Sequence, residues 1–380
     1  MMTINLKENI IESDNNKSGN IKQKRQMIYV HVPFCDKKCY YCDFVSFQNK
    51  TLVGEYFSAL EKEIIKRKNN KLVTSIFIGG GTPTSVDGEY IHNVLKTIKE
   101  NYTLSQDCEI TIEANPKSTT KQKLEIYFKS GINRLSFGVQ SLDEKKLALL
   151  GREQTREQVI NAIKTAQEVG FWNISADLML GLPLQTKNEV IEDLKTLINL
   201  GIQHFSAYML ILEPETKLGY LVKNKEIILP DDDETVEIYN SLYEFLKQNE
   251  FERYEVSNFA KDSLISRHNL GYWQMEEYLG FGVAAHSFEN MQRQENSKNL
   301  VHYLKDEDVK TEIVSPEQNR EEIIMLGLRT KFGVNKNIVK NSKNYDILLK
   351  EGFIFEEDNF VKVCPEKYGL LNSIIFKLVE

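Results

Sequence analysis

The stretch HVPFCDKKCYYCDF, residues 31–44, carries Cys35, Cys39 and Cys42 at the spacing C-x3-C-x2-C. Three thiolates can hold three irons of a [4Fe–4S] cluster and leave the fourth iron to a ligand that the chain does not supply. A structural cluster takes four cysteines, and a structural zinc takes a closed set of four ligands. The triad is therefore the arrangement expected where chemistry happens at an open position. A zinc site completed by His31 or a distant residue, or three ordinary reduced thiols, would use the same residues. Only Cys108 and Cys364 lie elsewhere, each alone, which leaves no second pair for a zinc knuckle.

Immediately before the triad, MIYVHV (27–32) reads as a strand. Beyond it, short apolar runs alternate with amphipathic stretches. In EYFSALEKEIIKRKN (55–69), Tyr56, Leu60, Ile64 and Ile65 share a face at helical spacing. SIFIGG (75–80), EITIEAN (109–115), RLSFGVQ (134–140), NISADLMLGLP (173–183) and HFSAYMLIL (204–212) read as strands, with helices over 90–102, 120–131, 155–169 and 187–200 between them. Six such alternations imply a parallel sheet with right-handed crossovers. They are too few for a closed eight-stranded barrel of ~250 residues. The expected fold is α/β, a partial (β/α)6 barrel over residues 27–230.

Cys35, Gly79–Gly81, Glu113, Gln140 and Asp177 all fall at the ends of strand cores. Parallel α/β folds bind ligands at that carboxyl edge. Taken singly, Glu113 and Asp177 would serve equally well as helix caps or solvated strand ends, and GGGTPT (79–84) as an ordinary glycine turn. Their common placement makes them candidates for one site.

The rhythm breaks at LPDDDET (229–235). A helix with an acidic first turn, which suits the helix dipole, opens a region over 231–315 that closes the barrel and contains a motif-dense loop at 254–288. Residues 316–380 are expected to form a smaller mixed α/β C-terminal domain. Residues 1–26 are polar, carry Glu8, Glu12 and Asp14, and lack an apolar core, unlike a transit or signal peptide. They are expected to be a disordered tail.

With 48 basic and 55 acidic residues the net charge is −7, so no global basic field draws the chain to nucleic acid. No apolar run approaches the ~20 residues of a membrane span, and three clustered cysteines of five do not resemble a disulfide framework. A cytoplasmic location is expected.

Tyr29, the triad, GGGTPT, TIEANP (111–116), GINRLSFGVQS (131–141), LLGR (149–152), DLMLGLPLQT (177–186), RHNLGYW (267–273) and YLGFGVAAHS (278–287) run in a single order. In that order they resemble the coproporphyrinogen III oxidase-like branch of the radical SAM proteins, over roughly residues 27–380. The resemblance implies a [4Fe–4S] cluster on Cys35, Cys39 and Cys42, with S-adenosylmethionine (SAM) on its open iron. Tyr29, Tyr41, Gly80, Gly81, Thr82, Glu113, Gln140, Arg152 and Asp177 match positions that contact SAM, and Arg152 is suited to the methionine carboxylate.

Within that branch, the oxidases carry a further cysteine two residues after the third, where this chain has Phe44. The form C-x3-C-x2-C-D-F-x-S, with Asp43 and Ser46, resembles the HemW-type heme chaperones. So does HNLGYW, which matches their H-N-x-x-Y-W heme motif and nominates His268, Asn269, Tyr272 and Trp273, with His268 as axial ligand and His286 as its competitor. The bland alternative is that His268 and Asn269 belong to a hydrogen-bonded loop and Trp273 to the core. The resemblance implies heme as cargo, b-type cytochromes and other respiratory hemoproteins as recipients, and transient contact with the membrane. The alternative it leaves is an oxygen-independent coproporphyrinogen III oxidase, a radical decarboxylase of porphyrinogen propionates. Whether the chain is an enzyme stays open at this point.

Overall fold

Six parallel strands form the centre of the computed structural model, which describes residues 23–380. They are β1 (Arg25–Val32), β2 (Leu72–Gly80), β3 (Thr103–Ala114), β4 (Arg134–Gln140), β5 (Ile174–Leu180) and β6 (His204–Met209), paired in sequence order. Between them run α1 (Val53–Lys66), α2 (Gly88–Asn101), α3 (Lys121–Lys129), α4 (Glu144–Leu149), α5 (Arg156–Val169) and α6 (Lys187–Asn199). This is the expected partial (β/α)6 barrel. Local chemistry sets the helix ends: Thr155 and Thr186 each build a capping box, with Gln158 and Glu189 respectively.

Alternation divides each strand between two environments. Ile28, Val30 and Val32, then Ile76 and Ile78, then Ala176, Leu178 and Leu180 join the main apolar core under the helices. The residues between them, including Tyr29, His31, Ser75, Phe77, Ser175 and Asp177, face the lumen. The lumen is polar, so it is lined for ligands and hydrogen bonds rather than for packing alone.

Two expectations need correction. β1 begins at Arg25, so Arg25 and Gln26 belong to the sheet and not to a tail; both pair with β2, at Leu72 and Val73. The rest of the expected tail, residues 1–22, lies outside the described residues. The stretch 254–288 is also not a loop. After α7 (Lys217–Lys223), α8 (Asp232–Gln248) and β7 (Glu252–Arg253), it supplies β8 (Asn258–Ala260), α9 (Arg267–Trp273), β9 (Tyr278–Phe281) and most of β10 (His286–Glu289). With β11 (Gln292–Glu295) and β12 (Lys310–Ile313), these strands extend the sheet to twelve among the described residues. Elements this short carry too little periodicity to be read from sequence.

β8 pairs antiparallel with β6, and β9 pairs parallel with β1. The chain between them, which contains α9, therefore crosses the open side of the six-stranded core. A separate apolar cluster running from Ile324 to Leu378 holds the C-terminal helices and a three-stranded sheet, against which Val256 packs.

Candidate functional site

The cysteine loop is stitched to the glycine turn by backbone. Gly81 N donates to Val32 O (2.9 Å) and Thr82 N to Phe34 O (2.8 Å). Within the loop, Cys35 N donates to Phe47 O (3.1 Å) and Phe47 N to Pro33 O (2.6 Å). This close approach explains the glycines. A Cβ on Gly81 would lie 2.9 Å from Val32 O and Phe34 O, and one on Gly80, whose φ is +110°, would lie 2.5 Å from the His31 ring. Neither position accepts another residue without a shift.

His31 is a tie and not a metal ligand. Its Nε2 faces Val45 O at 3.1 Å, so that nitrogen carries the proton, and Nδ1 accepts from the Tyr29 hydroxyl at 2.9 Å. Burial holds the imidazole below its usual pKa, which keeps it neutral.

Arg152 clamps the loop from the other side. Its Nη2 donates to Gly138 O (2.7 Å), and Nε and Nη2 share Gln154 Oε1 (3.0 and 2.8 Å). Nη1 reaches the Tyr41 hydroxyl (3.3 Å) and Cys39 Sγ (3.7 Å). Two of the residues expected to meet SAM, Tyr41 and Arg152, thus also brace the second cysteine. Cys35 Sγ lies 3.4 Å from Thr82 Oγ1. Burial pushes the Cys35 and Cys42 thiols up.

All three cysteines are free thiols. Among the described residues, no three His, Cys, Asp or Glu side chains converge on the position of a single ion. A cube of four irons asks for something different, one thiolate on each of three separate metals. Three soft thiol donors on one loop, with a guanidinium beside the second to offset thiolate charge, fit that donor set.

The remaining rim residues also gather here. Gly80 N donates to Glu113 Oε2 (3.1 Å), and Ser136 Oγ donates to Asp177 Oδ1 (3.0 Å). Burial and the Asp177 charge push the Glu113 carboxyl up to about 8, and burial raises Asp177 as well. Gln140 ends β4 at a register shift with φ +66°, a left-handed backbone that costs roughly 1–2 kcal/mol for a residue with a Cβ. Such strain at a strand's carboxyl end is typical of a ligand site.

The heme motif lies deeper. Glu109, buried in β3, accepts the backbone N–H of Arg267 and of His268 at 3.1 Å each, and Arg267 Nη1 pairs with Asp107 at 2.7 Å. Ser266 caps the helix at Asn269 N (3.3 Å). Asn269, Tyr272 and Trp273 line one cavity of about 300 Å³, open to solvent, together with Tyr208, Glu255, Ser257, Asn258 and Leu326.

His268 is the exception: it does not line that cavity. Its ring is fully buried. Nδ1 bonds Ser75 Oγ at 2.9 Å and Nε2 bonds the Tyr272 hydroxyl at 3.0 Å. Burial lowers its pKa to about 3, so it is neutral, with one donor nitrogen, one acceptor nitrogen, and both in use. It stacks on Phe77 at 5.2 Å, and Phe77 stacks on Tyr29 at 6.3 Å, an aromatic column joining α9 to β2 and β1. The competitor His286 is exposed on β10, with its Nε2 3.8 Å from Glu295.

Sequence reading missed the supporting residues. Glu109, Tyr254, Glu255 and Tyr208 fall outside the quoted functional roles. Fully buried Arg134, within the quoted motif GINRLSFGVQS, was given no role, and its Nε and Nη2 have no protein partner. An acidic residue in mid-strand, such as Glu109 in EITIEAN, was the one available signal, because a lumen-facing charge needs a partner.

The radical SAM superfamily model matches residues 29–197. A heme chaperone HemW of Bacillus subtilis is 38% identical over 319 residues, covering 81% of this chain and 84% of that protein. The chain belongs to the HemW family of radical SAM proteins. A HemW of a Buchnera aphidicola strain is 32% identical over 92% of this chain and 96% of its own length. Among solved structures, coproporphyrinogen III oxidase (HemN) from Escherichia coli superposes with a TM-score of 0.80 over 93% of this chain and 90% of its own, at 23% identity, which establishes a shared fold. Radical SAM membership implies a [4Fe–4S] cluster and SAM for this family member. Among the described residues no helix is long and apolar enough to cross a membrane.

Proposed function

We propose that this chain binds heme and passes it to respiratory hemoproteins such as b-type cytochromes, acting in the cytoplasm with transient contact at the membrane. The observation that carries the reading is the open cavity beside the cysteine-bearing barrel, lined by Asn269, Tyr272 and Trp273. Its aromatic wall of Tyr208, Tyr272 and Trp273 suits the edge of a porphyrin, and its openness suits a cargo that must leave again. The relatives' printed name, heme chaperone, points the same way.

Cys35, Cys39 and Cys42 hold the cluster in this reading. Gly80, Gly81, Thr82, Glu113, Gln140 and Asp177 surround SAM, while Tyr29, Tyr41 and Arg152 brace both. When bound, the cluster and SAM supply one-electron chemistry at the open iron. The chain's own part is to exclude water, fix the loop through His31 and Arg152, and keep Glu113 able to donate a hydrogen bond at neutral pH. The decarboxylase alternative gains only the shared fold. The position of the extra cysteine is Phe44, 68% exposed.

The test is an anaerobic titration of heme into the cluster-reconstituted protein, followed by visible absorption. Near-stoichiometric binding supports the reading. Absence of binding would return coproporphyrinogen III to first place as the substrate to try.

A further inference from the structure

Among the described residues the twelve-stranded sheet ends at β7, two residues long, and at β12. Every residue of β12 is exposed, and so is Val309 just before it. The partner of β12 among the described residues is β11, with Arg293 opposite Glu312 and Glu295 opposite Lys310. Val314 N donates to Met291 O at 2.8 Å, which fixes the phase of that ladder. Hydrogen-bonded pairs alternate along antiparallel strands. The backbone groups of Lys310 and Glu312 therefore turn to β11, and those of Thr311 and Ile313 turn outward. An outward row of unpaired N–H and C=O groups is a template for another strand. Val309, Thr311 and Ile313 are all β-branched, which suits them to pairing, and Ile313 is 80% exposed.

We propose that β12 is an interaction edge that pairs antiparallel with β12 of a second copy of this chain, about a two-fold axis at Thr311. The charge pattern selects both the occupant and the register. VKTEI (309–313) is its own complement when run in reverse. With Thr311 opposite Thr311, Lys310 of each copy meets Glu312 of the other, and Val309 of each meets Ile313 of the other. The outward backbone groups of Thr311 and of the Val309–Ile313 pairs supply the hydrogen bonds. The Lys310–Glu312 pairs fall at the non-hydrogen-bonded positions, where side chains approach most closely. Moving the axis to Lys310 or to Glu312 keeps the backbone in phase but sets that residue opposite itself, and like charges directly opposed are destabilising. Charged residues usually guard an edge strand against pairing; here their order makes the edge selective for its own copy. The contact is isologous and runs one sheet across both subunits. A contact of this size belongs with the small interfaces below about 1,200 Å² that bind weakly and reversibly, so the dimer should dissociate at roughly 10–100 µM.

Sedimentation velocity of the full-length, cluster-reconstituted protein over about 1–300 µM reads the monomer–dimer equilibrium. Wild type is expected to pass from monomer to dimer across that range. Thr311→Pro removes an outward N–H that β11 does not use, and proline is tolerated on an edge strand. It should weaken the dimer at least about 10-fold, while its far-ultraviolet circular dichroism and cluster content match wild type. Lys310→Glu and Glu312→Lys each set like charges opposite one another, and each should be monomeric alone. An equimolar mixture of the two restores opposite charges at both positions and should dimerise as wild type does, a rescue that misfolded variants could not give. Wild type that stays monomeric throughout, a dimer that Thr311→Pro leaves intact, or a mixture that stays monomeric would overturn the proposal.

Discussion

The rim and the cavity belong to one barrel and are held in opposite ways. At the rim, the loops after β1 and β2 are laced together by backbone hydrogen bonds, and Cys35, Glu113 and Asp177 gather at the strand ends. At the cavity, a seven-residue helix from far along the chain is fixed across the open side of the barrel by side chains. Glu109 takes its first N–H groups, and Ser75 and Phe77 hold His268. The rim's motif residues are therefore positioned by the backbone around them. The cavity's most conspicuous motif residue faces inward to hold the helix.

The sharpest way to break this comparison is Cys39→Ser. It should abolish the cluster, read as iron and sulfide content, while leaving most heme binding intact, because the two sites share no ligand. Complete loss of heme binding would show the rim and cavity to be one site. Gly80→Ala should destabilise the protein by about 3 kcal/mol in urea denaturation, from a forbidden φ plus a clash with the His31 ring, which is pinned at both nitrogens. A cost under about 1 kcal/mol would mean the rim is looser than its hydrogen bonds suggest.

On the cavity side, Glu109→Gln keeps the size of the side chain and removes its charge. Two charge-assisted hydrogen bonds to α9 weaken, for a loss of about 2 kcal/mol, and heme affinity should fall with it while cluster content does not. Unchanged heme affinity would detach α9 from the cavity's function.

The smallest effect concerns pH. Glu113, pushed up to about 8 by burial and by Asp177, holds its proton in the folded chain where the unfolded chain has released it. The stability of the cluster-free, SAM-free protein should therefore decline as pH rises from the ordinary carboxyl range toward 8. Glu113→Gln should flatten that decline, and an equal slope in both proteins would place the titrating group elsewhere.

The barrel was legible because strands and helices of ordinary length write their period into the chain. RLSFGVQ, read as a strand at 134–140, is β4 at the same residues. The rim was legible for a related reason: in a parallel sheet the residue after each apolar run must stand at the carboxyl edge, so Cys35, Glu113, Gln140 and Asp177 were bound to meet. Nothing comparable marks α9. RHNLGYW offers seven residues and no full amphipathic repeat, and its docking depends on Glu109 and Ser75, well over a hundred residues away.

The sequence by itself determined the partial barrel, the cysteine triad, the glycine turn and the family, because each follows from local periodicity or from ligand spacing within one loop. Tertiary structure alone decided which motif residues line an open cavity. His268 and Trp273 stand in the same expected heme motif. One is saturated by Ser75 and Tyr272, and the other faces an open cavity. The free valence of a side chain depends on neighbours brought to it by folding, and its own residue type says nothing about who they are.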